Sequence, residues 1–135
     1  MAFTTDYSTI PGLVANSTGM ASYQFYAVKL ASTAGQAVVS GAAVMNSTAC
    51  TVTGLLQNAP AAGEAVEFAY AGIAKGIVGQ STAIAIGDAI ASNSTGKLVT
   101  SAKTDNAEVL GKALEASSAS GDIIAVLLVP GGMRY

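Results

Sequence analysis

The sequence predicts an all-β protein: a compact single β domain, small and barrel- or sandwich-like, with an extended N-terminal arm. Residues 64–70 alternate strictly, with Val66, Phe68 and Tyr70 on one face, and a period of two is typical of a half-buried strand. A phrase of one glycine, one polar residue and two apolar residues also recurs. It occupies residues 35–38, 63–66, 87–90 and 121–124. Since glycine permits a tight turn before a strand, the phrase predicts a domain built from many short strands.

The same patterns define the predicted strands in chain order. Residues 108–115 carry apolar side chains at helical spacing, but Gly111 and the short length of the segment favour a strand. A short helix at residues 80–86, or within the first twelve residues, remains an alternative. The predicted strands are residues 23–31, 36–40, 49–56, 64–70, 73–78, 89–92, 97–100, 108–115 and 122–129.

The last of these strands is apolar on both faces, which is typical of a strand buried at the centre of a sheet. We therefore expect Ile124 and Leu127 to be core residues. Replacing either by alanine is expected to cost about 2–5 kcal/mol of stability, the usual range for a buried aliphatic side chain.

A chain of 135 residues is one domain by length. Residues 1–22 form the predicted arm, residues 23–130 the β domain and residues 131–135 a C-terminal tail. The arm is rich in small polar residues and has scattered apolar anchors without a clear period. We expect it to become ordered against its own domain or a neighbouring protein, and to matter for docking more than for folding.

Only 10% of the residues are charged, against roughly 25% in an ordinary soluble domain. This suits a protein that hides much of its surface in an assembly, although a surface rich in Ala, Ser and Thr explains part of it. The net charge is −2 and the basic residues are scattered, so nucleic-acid binding is not expected. The longest strongly apolar run, residues 123–129, is far shorter than the ~20 residues of a spanning helix, and no membrane association is expected.

Catalytic constellations are missing from the sequence. Histidine is absent and Cys50 is the single cysteine, which removes the usual nucleophile–base pairs and zinc sites; Cys50 is most simply a small buried side chain. Glu64 and Glu67 are three residues apart, an odd step that places them on opposite strand faces.

Residues 91–98 lack the first glycine and the final Ser/Thr of a phosphate-binding loop, and a hairpin turn at residues 94–96 fits better. We expect no enzyme activity, no cofactor and no metal site.

Four sequence blocks together resemble a known family. They are YAVKL at residues 26–30, LLQNAPAAGEAVEFAYAGIAKGIVG at 55–79, ALEA at 113–116 and VLLVPGG at 126–132. In order and spacing they resemble the small capsid decoration (cement) proteins of tailed bacteriophages, over about residues 23–132. The resemblance implies compact β domains that form small oligomers, often trimers, on the outside of the phage head. There they would clamp neighbouring major capsid subunits.

We therefore hypothesise that the chain is a structural virion protein made in the host cytoplasm. Its expected partners are the major capsid protein and further copies of itself. The predicted contact residues lie in the two termini, where aromatic and Arg anchors of the kind enriched at interfaces occur. They are Phe3, Tyr7, Ile10 and Leu13 in the arm and Met133, Arg134 and Tyr135 in the tail. The alternative is a carbohydrate- or cell-surface-binding β module, whose ligand site would be lined by Tyr7, Tyr23, Tyr26, Tyr70 and Tyr135.

Overall fold

The computed structural model describes residues 4–16, 19–30, 35–39, 53–93, 95–101 and 108–134. All ten strands in this part of the chain belong to one sheet, and none of its residues lies in a helix. The all-β prediction is therefore confirmed, and the helical alternative for residues 80–86 is wrong. The strands are β1 (Asp6–Thr9), β2 (Val14–Ala15), β3 (Ala27–Leu30), β4 (Gln36–Val39), β5 (Thr53–Leu56), β6 (Phe68–Ile77), β7 (Ala89–Ser92), β8 (Leu98–Thr100), β9 (Glu108–Ala113) and β10 (Ile123–Arg134).

The strand order is β2-β4-β3-β5-β6-β10-β9-β7-β8, and β1 pairs with β6 outside this path. The last strand, β8, returns to the end of β6. Val78 forms an isolated parallel bridge with Leu98, and the Gly79 amide donates a hydrogen bond to the Leu98 carbonyl at 2.7 Å. Strands β6, β10, β9, β7 and β8 thus form a nearly closed barrel, which leaves few free strand edges.

Two clusters of buried side chains lie on opposite faces of β3 and β5. Leu55 belongs to the first core cluster and Leu56 to the second, and Ala27 and Val28 divide in the same way, because successive side chains of a strand point to opposite faces. The first core cluster includes Ile90, Leu98, Leu110, Ile124 and Val126 from the barrel strands. The second core cluster contains Leu13, Ala15, Met20, Val28, Leu56, Val66 and Phe68.

The predicted apolar face of residues 64–70 is confirmed. Val66 and Phe68 are buried in the second core cluster, and Tyr70 packs against it. On the opposite face, Ala69 belongs to the first core cluster. The start of β6 is therefore buried on both faces rather than on one, because the sheet separates two cores at this point.

β6 joins two strands that the sequence predicted as separate. Ala69 and Ala74 are five positions apart, an odd step that in a regular strand would place them on opposite faces. Both nevertheless contribute to the first core cluster, so the alternation of β6 shifts by one residue between them. The register of β6 with β1 shifts between Ala69 and Ala71, and Gly72, which has a φ of 92°, follows this shift opposite Tyr7 of β1. A Cβ atom on Gly72 would meet the backbone of β1. Glycine is required here both by the backbone conformation and by the close approach of β1.

A buried glutamine connects the two halves of β6. The Gln57 side chain donates a hydrogen bond to the Lys75 carbonyl at 2.9 Å and accepts one from the Lys75 amide at 3.1 Å. Its own backbone amide donates to the Glu67 carbonyl at 3.0 Å. Gln57 is 8% exposed, and a buried amide is tolerated when its donors and acceptors are paired in this way.

β10 lies between β6 and β9, so the prediction of a central last strand is confirmed. Ile124 is buried in the first core cluster, as predicted. The prediction that Leu127 is also buried is wrong, because Leu127 is 44% exposed and its neighbour on the same face, Ile123, is 47% exposed. Both faces of β10 are apolar, but the face that carries Ile123 and Leu127 is only partly covered by the rest of the described chain, since Ala125 between them is fully buried.

β10 also extends beyond its predicted end at residue 129 and continues to Arg134. Its register with β9 shifts between Leu128 and Met133, after which Met133 pairs with Val109. Pro130 falls inside this shift, where the missing amide of proline is tolerated. The backbone of residues 131–134 is consequently part of the sheet.

β7 and β8 form the predicted hairpin, with Ile90 opposite Thr100. The Asn93 side-chain oxygen accepts hydrogen bonds from the Thr95 amide at 2.9 Å and the Lys97 amide at 3.0 Å. This local bonding by asparagine is typical of tight turns, so the sequence motif at residues 91–98 is a hairpin rather than a phosphate-binding loop.

We expect Gly72→Ala to lower the free energy of unfolding by more than about 2 kcal/mol. A non-glycine residue at this φ costs about 1–3 kcal/mol, and the new Cβ would also clash with β1. Gly121 is the matched control, because its φ is 93° and no atom lies within 4 Å of an added Cβ. Chemical denaturation of the two alanine variants separates the two effects; equal losses would contradict the proposed close approach of β1.

We expect Ile124→Ala and Leu127→Ala to differ, although both remove an aliphatic side chain from the same strand. Ile124→Ala removes a buried side chain and should cost about 2–5 kcal/mol. Leu127→Ala should cost less than half as much in the dissociated protein, since much of its side chain is in water. Chemical denaturation should be repeated at two protein concentrations, because subunit association is linked to unfolding. A larger loss for Leu127→Ala at the lower concentration would contradict the assignment of faces.

Candidate interaction surface

Several of the described carboxylates stabilise local structure. Glu64 accepts a hydrogen bond from the Ala61 amide at 2.6 Å, and Asp88 accepts one from the Ala85 amide at 2.8 Å. No group of three or more metal-ligating side chains occurs among the described residues. Cys50 lies outside the described residues.

Asp122 shows how such a turn carboxylate works. Its side chain accepts hydrogen bonds from the Ser117 hydroxyl at 3.0 Å and from the Ser118 and Ala119 amides at 3.2 Å. These bonds, that of Ser117 foremost, favour the ionised form and hold the pKa of Asp122 below its usual value. The carboxylate closes the turn that leads into β10. Within the described part of the chain, no helix is long and apolar enough to cross a membrane.

The predicted contact residues of the arm lie against the domain. Leu13 is buried in the second core cluster and Ile10 packs against it, while the Ile10 amide donates a hydrogen bond to the Phe68 carbonyl at 3.1 Å. Tyr7 packs against the first core cluster. Of the two partners that the sequence left open for the arm, its own domain is thus the one contacted by its described residues. The expectation that the arm matters for docking more than for folding stays a prediction, although Leu13, Ala15 and Met20 help to form a core.

Two contacts hold the Tyr7 side chain in place. Its ring packs against the first core cluster, and its hydroxyl donates a hydrogen bond to the Glu67 carboxylate at 3.0 Å. Burial of the ring raises the pKa of the Tyr7 hydroxyl, and the hydrogen bond and negative charge of Glu67 raise it further. Glu67 is therefore occupied by Tyr7, while Glu64 caps a turn, and the two carboxylates have separate roles.

The remaining predicted contact residues lie at the ends of the chain. Met133 and Arg134 pair through their backbones with Val109 and Glu108 of β9. Phe3 and Tyr135 lie outside the described residues. The tail is thus held in the sheet up to Arg134, at the end of the same central strand that carries Leu127.

The tyrosines considered for a ligand site lie in separate environments. Tyr7 packs against the first core cluster and Tyr70 against the second. Tyr23 and Tyr26 contact each other edge to face, with ring centroids 5.1 Å apart. Tyr135 lies outside the described residues. The described tyrosines thus contribute mainly to packing, and only Tyr23 among them is exposed.

An aromatic corner, which we define as Tyr23, Phe25 and Tyr26, adjoins the end of β6. Phe25 has a φ of 71°, which is rare for a bulky residue. Two hydrogen bonds hold it there: its amide donates to the Leu56 carbonyl at 2.7 Å, and its carbonyl accepts from the Ile77 amide at 3.0 Å. The Lys75 ammonium lies 5.8 Å from the Phe25 ring centre, within the range of a cation–π contact.

The outward side of β1, β6, β10 and β9 carries a continuous row of side chains. Asp6 is opposite Ile73, Ile73 is opposite Leu127, and Leu127 is opposite Lys112. Directly opposed residues of antiparallel strands point to the same face, so these four residues form one row, which we call the outer row. The adjacent row, one residue further along each strand, contains Tyr7 and Leu128 and faces the first core cluster.

Apolar side chains extend from the outer row along the same face. Ile77 is opposite Ile123, and Lys75 is opposite Ala125. Ile123 and Leu127 are the exposed centre of this outer face, while Ile73 and Ile77 are half-buried. The Lys75–Ala125 pair lies between these two apolar pairs, and Ala125 is fully buried. Large exposed apolar side chains grouped on one face are typical of a protein contact.

Sequence reasoning missed the outer face, although its signal was present. The sequence predicts that residues 122–129 are apolar on both faces, which is confirmed. The prediction that both faces are covered within the domain is wrong at Ile123 and Leu127, which are exposed. These features define a class of protein: a small, all-β domain with a partly exposed apolar face.

A family model described as phage cement protein matches residues 23–128, more than three quarters of the chain. The chain belongs to this family, which confirms the resemblance seen in the four sequence blocks. It is thus a structural phage protein associated with the capsid of the virion. No curated protein matches the chain.

We expect Leu13→Ala to destabilise the fold rather than to act on docking alone. Leu13 is 8% exposed, and loss of a buried leucine side chain costs about 2–5 kcal/mol. Ile86, which is 71% exposed, provides the control, since Ile86→Ala should stay within about 0.5 kcal/mol of the parent protein. Chemical denaturation compares the two. An unchanged free energy of unfolding in Leu13→Ala would contradict a role of Leu13 in the core. It would favour an arm that acts only in docking.

Proposed function

We propose that the protein is a capsid decoration protein that binds the outer surface of the phage head and stabilises contacts between major capsid subunits. The observation that carries this proposal is the family match over residues 23–128. The exposed apolar outer face agrees with it, since a contact protein needs surface that is buried only in the assembly. The protein would be made in the host cytoplasm and would add to the head from outside.

No active site is needed for this function. Each contact would bury apolar and aromatic side chains, and a specific interface of ordinary size removes about 800 Å² from water on each partner. A homotrimer presents three copies of the same contact to the shell. Binding of one copy raises the effective concentration of the others, so modest contacts add up to a stable attachment. A trimer bound across subunit boundaries would resist their separation under the pressure of packaged DNA.

The head contact is proposed to involve Phe3 before β1 and residues 133–135 at the end of β10. Ile10 and Leu13 are removed from this set because they pack within the domain. The aromatic corner is a further candidate. Its partly exposed rings lie beside lysines, and aromatic residues are enriched at the centres of interfaces.

The direct test uses purified heads that lack the protein. We expect added protein to co-sediment with these heads to saturation, and cryo-electron microscopy to show new density on the outer surface at subunit boundaries. Decorated heads should release their DNA at a higher temperature than undecorated heads. Ile86→Ala serves as a control for an exposed apolar residue that lies outside the proposed contacts.

Density inside the shell, or absence of binding to heads by a folded protein, would contradict the proposal. Binding of the protein to glycans without any binding to heads would favour the carbohydrate-binding alternative instead.

A further inference from the structure

The outer row is electrically asymmetric. It begins with the carboxylate of Asp6 on β1, continues through Ile73 and Leu127, and ends with the ammonium group of Lys112 on β9. Asp6 and Lys112 are both exposed, and neither forms an ion pair within the part of the chain that the structure describes. They cannot pair with each other in one copy, since three strand spacings, about 14 Å, separate them.

This pattern is self-complementary. If a second copy is related to the first by a rotation axis parallel to the strands, the β1 end of one outer row meets the β9 end of the other. Asp6 then lies beside Lys112 of the second copy, and the apolar centres of the two rows face each other. An axis that runs along the row would instead bring Asp6 against Asp6. Charge complementarity therefore selects both the partner and the direction of the axis.

We propose that the outer face is the surface through which copies of this chain associate, around an axis parallel to β10, with Asp6 of each copy paired with Lys112 of the next. The inference rests on the proposed self-assembly but not on the proposed head contact. It applies to a closed ring of three copies as well as to two, because each junction of a ring joins the β1 end of one copy to the β9 end of its neighbour. Ile123 and Leu127 would be buried near the axis.

The apolar centre and the charged ends have different roles in this arrangement. Removal of Ile123 and Leu127 from water supplies the driving force for association. The Asp6–Lys112 pair determines the relative orientation of the copies, because an arrangement that places like charges beside each other is repulsive. Because both charges lie at the rim, association should weaken as salt is added.

Charge reversal tests the pair on the full-length protein, by sedimentation velocity over a range of concentrations. Asp6→Lys and Lys112→Glu should each weaken self-association by on the order of 10-fold or more, and the double variant should return to near the parent value. Lys29→Glu carries the same charge change as Lys112→Glu outside the outer row and serves as the control. Circular dichroism establishes that every variant is folded.

A zero-length carbodiimide cross-link provides an independent measurement. The reagent joins a carboxylate to an amine only in direct contact, so a peptide linking Asp6 to Lys112 must come from two copies. Mixing isotope-labelled and unlabelled protein before cross-linking should yield peptides of mixed isotope composition.

Restoration of association in the double variant together with the mixed cross-link would support the inference. A double variant as weak as the single variants would overturn the pairing. Unchanged association in all variants, with reduced sedimentation on heads, would assign the outer face to the capsid instead. A parent protein that stays monomeric at all concentrations would overturn the inference, while its binding to heads could still be measured separately.

Discussion

The rest of the structure depends on β6 contributing to two separate cores. Its first residues place Phe68 in the second core cluster and Ala69 in the first, and its later residues place Ala74 in the first. The one-residue shift in alternation that this requires lies between Ala69 and Ala71, directly before Gly72, where β1 approaches too closely for any side chain. Gln57 then bonds to the backbone on both sides of the shift. A strand without this shift would direct one of its halves away from its core.

The division into two cores decides which surfaces are covered. The second core cluster lies outside the barrel and needs a cover, which Leu13, Ala15 and Met20 provide from the N-terminal segment. The outward face of β10 is covered at Ala125, which is fully buried, but Ile123 and Leu127 on the same face stay in contact with water. One apolar surface is therefore closed within the domain, whereas the other is partly exposed.

This arrangement suits a protein that works only in an assembly. Several of its few charged groups close turns or bond to neighbouring side chains, as Glu64, Asp88 and Asp122 do, whereas Asp6 and Lys112 lie at the two ends of the outer row. An exposed apolar face is a liability in an isolated domain because it promotes association. In a capsid-associated protein the same property would favour attachment. In the proposed assembly, the asymmetric outer row would limit that association to a defined orientation.

The sequence alone determined most strands of the β domain and the family, but it predicted neither β1 nor β2. Period-two patterns located most strands, the turn residues 94–96 indicated the hairpin, and four blocks indicated the cement proteins. These features are local, because turn chemistry and side-chain alternation depend on residues close in the chain. Only the tertiary structure decided that Leu13 is covered and Leu127 is not. Alternation shows that a face is apolar, but what covers that face depends on segments far away in sequence, and here on the register of β1 and β10 against β6.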